Sequence, residues 1–175
     1  PRHSSWGRDT HPEQELRTMF DISEHGMNSV GYVSTNPYVA KKPGGGYEIS
    51  FDKPFGASVY SLNVYMNNLK RAGLTGPIGY YSCAAWHRFG LSKVEKAFTP
   101  EWENLVAETV KAIEAQREKH NWPEFIYFTG DEPGSSLVKQ QAIRKLGNAI
   151  RKGKRNVRLS NFFNGEWNGT ADWKL

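Results

Sequence analysis

Helix-like and strand-like stretches alternate along this chain, and the links between its main strand-like runs are too long for hairpins. Strands joined through a helix run parallel, because the crossover carries the chain back to the end of the sheet from which it started, and such crossovers are right-handed. Thr10-His11-Pro12-Glu13 opens a helix with Pro in its first turn, and Leu16, Met19, Phe20 and Ser23 recur at helical spacing until Gly26, so a helix is predicted over 12–26. Met27 to Ser34 then reads as a strand that Thr35-Asn36-Pro37 ends. A second helix from Ser58 shows Val59, Leu62, Met66 and Leu69 on one face, stops at Gly73, and leads to a strand over 76–82. Thr99-Pro100-Glu101 starts a third, with Trp102, Leu105, Val106, Thr109 and Ile113 on its apolar face, followed by the strand Phe125-Ile126-Tyr127-Phe128. Ser135 or Ser136 caps a fourth helix through Val138, Ala142, Leu146 and Ile150 to about Gly153, and Val157 to Phe163 is the last strand. Between the first two units, residues 38–54 carry Pro43-Gly44-Gly45-Gly46 beside Tyr47-Glu48-Ile49-Ser50-Phe51, a small hairpin inserted in a loop. Those glycines do not open a helix, which argues against a phosphate cradle.

The class expected is α/β. A complete eight-unit barrel needs at least about 200 residues, and 175 are present. The expectation is therefore one α/β domain over 1–175, a partial (β/α) TIM-barrel-like parallel sheet of about four or five strands with helices on its outer face. A doubly wound sheet is the other solution, but no glycine-rich nucleotide turn follows the first strand. An open arc leaves two bare edges, so a homo-oligomer or a partner half covering them is expected. The start at Pro1 and the end at Trp173-Lys174-Leu175 read as a piece of something longer.

Hydrophobic residues at 38% and aromatics at 13% exclude a disordered tail. No apolar run approaches the roughly 20 residues a membrane helix requires, so no membrane partner is expected. A single cysteine, Cys83, excludes a disulfide framework, and five scattered histidines show no zinc-ligand spacing, so neither metal nor cofactor is expected. Cys83 near His87 lacks a third, orienting group for a thiol nucleophile. The net charge of +5 is uneven: between Pro133 and Gly165 stand eight basic residues and no acidic one. That block is either a solvated helix face or a polyanion-binding surface, and no nucleic-acid motif accompanies it.

With parallel strands, one rim gathers Asn36, Tyr81 to Cys83, Asp131 with Glu132, and Asn161 to Glu166, with Trp86, His87, Asn164 and Trp167 on the same loops. Trp122 precedes its strand and belongs to the opposite rim. Aromatic rings with an apolar face and a polar edge suit sugars. Glycosidic cleavage needs a proton donor for the leaving oxygen and a negative group to support an oxocarbenium-like transition state, and carboxylates serve both roles. Two adjacent carboxylates raise one another's pKa, which keeps a donor protonated near neutrality. Consecutive strand residues face opposite ways, but Gly130 before the pair and Pro133 after it bend the backbone there.

Phe125 to Pro133, the phrase Met19-Phe20-Asp21-Ile22-Ser23-Glu24-His25-Gly26-Met27-Asn28-Ser29-Val30, and Leu69-Lys70-Arg71-Ala72-Gly73-Leu74 with Gly76-Pro77-Ile78 resemble TIM-barrel glycoside hydrolase-like proteins, nearest to glycoside hydrolase family 123 and its relatives. The resemblance spans roughly 12–165 and rests on short motifs. It implies a retaining, substrate-assisted N-acetylhexosaminidase in which Asp131 polarises the substrate's 2-acetamido group and Glu132 is general acid and then base. The rim itself, apart from the resemblance, offers Asn36, Tyr81, Trp86, His87, Asn161, Asn164 and Trp167 as expected substrate contacts. A second route within this class pairs Glu132 with a separate carboxylate nucleophile, for which Glu166 is the candidate near in sequence. The competing classes are a non-catalytic carbohydrate-binding or scaffold domain using the same rim, and a polyanion-binding module built on the fourth helix.

Overall fold

The computed structural model describes residues 12–33, 35–55, 60–80, 99–131 and 136–162, with the backbone alone at Asp131 and Phe162. Their order is α1 (Pro12–Glu24), β1 (Tyr38–Lys41), β2 (Tyr47–Ser50), α2 (Leu62–Arg71), β3 (Ile78–Tyr80), α3 (Pro100–His120), β4 (Phe125–Asp131), α4 (Leu137–Gly153) and β5 (Arg158–Phe162). The class is α/β: β3, β4 and β5 form a parallel sheet in that order, and β1 and β2 a separate antiparallel pair.

Helix ends are set by local chemistry. Ser61 caps α2 by accepting from the Val64 N–H at 3.4 Å, Thr99 accepts from the Trp102 N–H at 3.3 Å, and Ser136 accepts from the Lys139 N–H at 3.5 Å. Three helices close in one way. At α1 the Gly26 and Met27 amides donate to Ser23 and Ile22, at α2 Gly73 and Leu74 donate to Lys70 and Leu69, and at α3 Asn121 and Trp122 donate to Glu118 and Arg117. This pairing needs a left-handed residue after the helix; Gly26 and Gly73 supply it with φ of 80° and 75°, and Asn121 does so at 51°.

The chain divides into two compact units, Pro1–Tyr80 with Lys111–Ile126, and Tyr81–Val110 with Tyr127–Leu175. In the first unit Met19, Leu62, Met66, Leu69, Ile78 and Ile113 are almost wholly buried. Trp122, also buried, meets Phe51 edge-on at 6.3 Å between centroids and stacks on His120 at 5.8 Å. Glu114 is buried beside Arg117, whose Nε donates to its carboxylate at 2.9 Å. The hairpin pairs Tyr38 with Ser50 through Lys41 with Tyr47. Its exposed side is tied by Lys53, which pairs with Glu48 and lies over the Tyr38 ring.

Among the described residues, the strand expected over 27–34 is reduced to one parallel bridge, Tyr32 to Gly79, with the Val33 amide donating to Gly79 and the Gly79 amide to Gly31. Pro77 explains the shortfall. It has no N–H to offer a ladder, and its carbonyl accepts from the Ser29 hydroxyl. The parallel sheet among the described residues thus has three strands rather than the four or five expected.

In the second unit, α4 buries Gln140, Ile143, Leu146, Gly147, Ala149 and Ile150. Two glycines permit this seat. A Cβ on Gly130 would lie 2.3 Å from Ile143 Cδ1, and one on Gly153 would lie 2.4 Å from the Ala107 carbonyl oxygen of α3. Two side chains placed by periodicity on buried faces are instead exposed, Phe20 at 40% and Val138 at 53%.

Candidate functional site

The strand that carries the acidic pair follows the period-two rule: Phe125, Tyr127 and Thr129 are buried, and Ile126 and Phe128 are half-buried between them. Its direction places Asp131 as the last residue of β4. Two contacts fix that end of the strand. The Thr129 hydroxyl donates to the Ser160 carbonyl of β5 at 3.2 Å, and Ile143 of α4 fills the space over Gly130. A helix seated on the residue immediately before Asp131 leaves the backbone of this segment little room to shift.

Asn161 is the penultimate residue of β5, half-buried, and so also stands at the carboxyl end of a strand. Asp131 and Asn161 therefore end neighbouring strands of one parallel sheet, where ligands collect in α/β folds. Asn36, in the first unit, is half-buried directly after the bridging segment, between buried Thr35 and Pro37. Its Oδ1 accepts a hydrogen bond from the Tyr80 hydroxyl at 2.8 Å.

Tyr80 ends β3 and is 3% exposed, with its ring tilted against Phe125 at 5.4 Å. Burial pushes its hydroxyl's pKa far above the ordinary tyrosine value, so the phenol stays a neutral donor throughout the working range of a protein. A donor that cannot ionise holds the Asn36 carboxamide in one orientation. Tyr80 was not among the residues expected at the rim, and Tyr81, which was, lies outside the described residues. All three residues of β3 are buried, and the Tyr80 hydroxyl reaches its polar partner from inside.

Comparison with known proteins finds no family model, no curated protein and no solved structure that matches this chain. The site must be read from its own residues. Of those expected, Asn36, Asn161 and the backbone of Asp131 are described, whereas Glu132, Tyr81, Trp86, His87, Asn164 and Trp167 lie outside the described residues, as do Cys83 and Glu166. Trp122 precedes β4, at the end of the strand away from Asp131. Among the described residues no group of three His, Cys, Asp or Glu side chains is placed to hold a metal ion, and no helix is long and apolar enough to cross a membrane.

Proposed function

We propose that this chain is a glycoside hydrolase-like domain acting on a carbohydrate, by a retaining, substrate-assisted mechanism on an N-acetylhexosaminide, with its parallel sheet an arc of a TIM-barrel-like fold. The observation that carries the reading is the backbone of β4, which runs to Asp131 at the carboxyl end of a parallel strand with Glu132 next in the chain. Carboxylates delivered there stand where α/β folds bind ligands. In this reading Glu132 protonates the leaving glycosidic oxygen while the substrate's acetamido oxygen attacks the anomeric carbon. Asp131 orients the acetamido N–H and balances the charge that develops on it. Glu132, now a carboxylate, takes a proton from the water that opens the cyclic intermediate, and the configuration is retained through two inversions.

The test is hydrolysis of chromogenic N-acetylgalactosaminide and N-acetylglucosaminide by the intact protein and its Glu132→Gln variant. Removal of a general acid is expected to slow release by about 10²–10⁴-fold. Unchanged release by Glu132→Gln would remove Glu132 from the role assigned to it, and absence of release by the unmodified protein from either substrate would refute the hexosaminidase reading.

A further inference from the structure

The sequence of α4 contains a repeat seven residues long that the hydrolase reading does not use. Gln141-Ala142-Ile143-Arg144-Lys145 recurs as Asn148-Ala149-Ile150-Arg151-Lys152. Seven residues are nearly two helical turns, so each pair shares a face with a drift of about 20°, about 10.5 Å apart along the axis. The structure divides the repeat cleanly. Ile143, Ala149 and Ile150 are buried and Ala142 is half-buried, whereas Gln141, Arg144, Lys145, Asn148, Arg151 and Lys152 are all exposed. The helix therefore presents one chemical set, a carboxamide, a guanidinium and an ammonium, twice on its outer side.

The two cationic columns differ. Lys152 donates to Glu103 of α3 at 2.9 Å and to Asn104 at 3.1 Å, and that hydrogen bond, with Lys145 nearby, holds the Glu103 carboxyl below the usual carboxylate range. Arg144 and Arg151 enter no ion pair among the described residues. Nor does α4 carry an acidic residue that could neutralise them. Two uncovered guanidiniums at a fixed interval, each with a carboxamide one turn away, match a chain whose anionic groups recur at a regular interval with hydroxyls between them. Guanidinium forks favour the planar carboxylates and the sulfates of such a chain.

We propose that the outer face of α4 is a docking strip for an acidic polysaccharide, with Arg144 and Arg151 taking successive anionic groups and Gln141 and Asn148 the hydroxyls between. A single-stranded nucleic acid is the poorer fit, since stacking platforms are what such strands require and the exposed repeat holds no aromatic side chain. The strip is independent of the hydrolase reading, because it uses no residue of the carboxylate site.

The test is binding of heparin to the intact protein across a range of salt concentrations, with Arg144→Gln/Arg151→Gln compared against Lys70→Gln/Lys111→Gln. The second pair removes the same net charge from exposed positions outside α4. The arginine pair is expected to weaken binding by roughly tenfold or more at low salt and to reduce the slope of log affinity against log salt by about two. The lysine pair is expected to change both far less, and circular dichroism should show all variants equally folded. Equal losses for the two pairs would overturn the strip, because bulk charge would then suffice. Duplex DNA bound as tightly as heparin, with the same dependence on the arginines, would overturn the assignment to a glycan. Competition by uncharged dextran as strong as by heparin would overturn the role of charge.

Discussion

Replacing Gly130 by alanine puts a methyl group where the tip of Ile143 already sits. The new Cβ would stand 2.3 Å from Ile143 Cδ1, 2.4 Å from Cγ1 and 3.7 Å from Cβ. Contacts of the first two kinds are far inside van der Waals range, and Ile143, β-branched in a helix, has one strongly preferred χ1 rotamer. Overpacking of this sort costs about 1–3 kcal/mol, against about 0.5–1 kcal/mol recovered by removing a glycine from a strand. A net loss of roughly 0.5–2 kcal/mol is expected in urea unfolding followed by circular dichroism. The partner change isolates the cause. Ile143→Ala alone should cost about 2–5 kcal/mol, but it deletes both clashing atoms and leaves only the contact at 3.7 Å. The double variant should therefore be more stable than the sum of the two losses predicts, by about 1–3 kcal/mol. Additivity within about 0.5 kcal/mol, or a stabilised Gly130→Ala, would refute the claim that α4 is seated on the residue before Asp131.

Tyr80→Phe removes the donor to Asn36 while keeping the ring against Phe125, and should cost about 0.5–1.5 kcal/mol in the same assay; no measurable loss would mean that the hydrogen bond does not orient Asn36. His25, exposed after the end of α1, has its pKa raised above 6.5, first by its hydrogen bond to the Asp21 carbonyl and then by the Asp21 carboxylate. A raised histidine pKa stabilises the fold below the unfolded-state value, and the contribution is lost as pH rises through the folded value. An NMR titration should place His25 above 6.5, with Asp21→Asn lowering it; an unmoved titration would assign the shift to the carbonyl alone.

The helices were legible because their boundaries are local. Pro12, Thr99 and Ser136 stand at or next to three starts, and Gly26 and Gly73 close two ends through a single positive φ, whereas the second helix, expected from Ser58, is capped by Ser61 and begins at Leu62. β4 was legible as an apolar run, β5 from its place after the fourth helix, and the hairpin from its glycines. The strand over 27–34 misled because its side-chain pattern is sound and its failure lies in the partner, where Pro77 lacks the amide that a ladder needs. Asn36 and Asn161 were found by their place after or near strand ends, but Tyr80 was missed, since a hydrogen bond between residues 44 apart leaves no local trace. The heptad repeat of α4 was present as charge, yet only the folded contacts separate its arginines, which enter no ion pair among the described residues, from Lys152, which pairs with Glu103.

Because α4 meets Gly130 through Ile143, a little before its midpoint, and the Ala107 carbonyl through Gly153 at its last residue, it is held at two points along its length. A rod held this way neither rolls nor slides, so its outward guanidiniums behave as teeth on a fixed comb. Their interval is set before any ligand arrives, and the freedom surrendered on contact is confined to the side chains themselves.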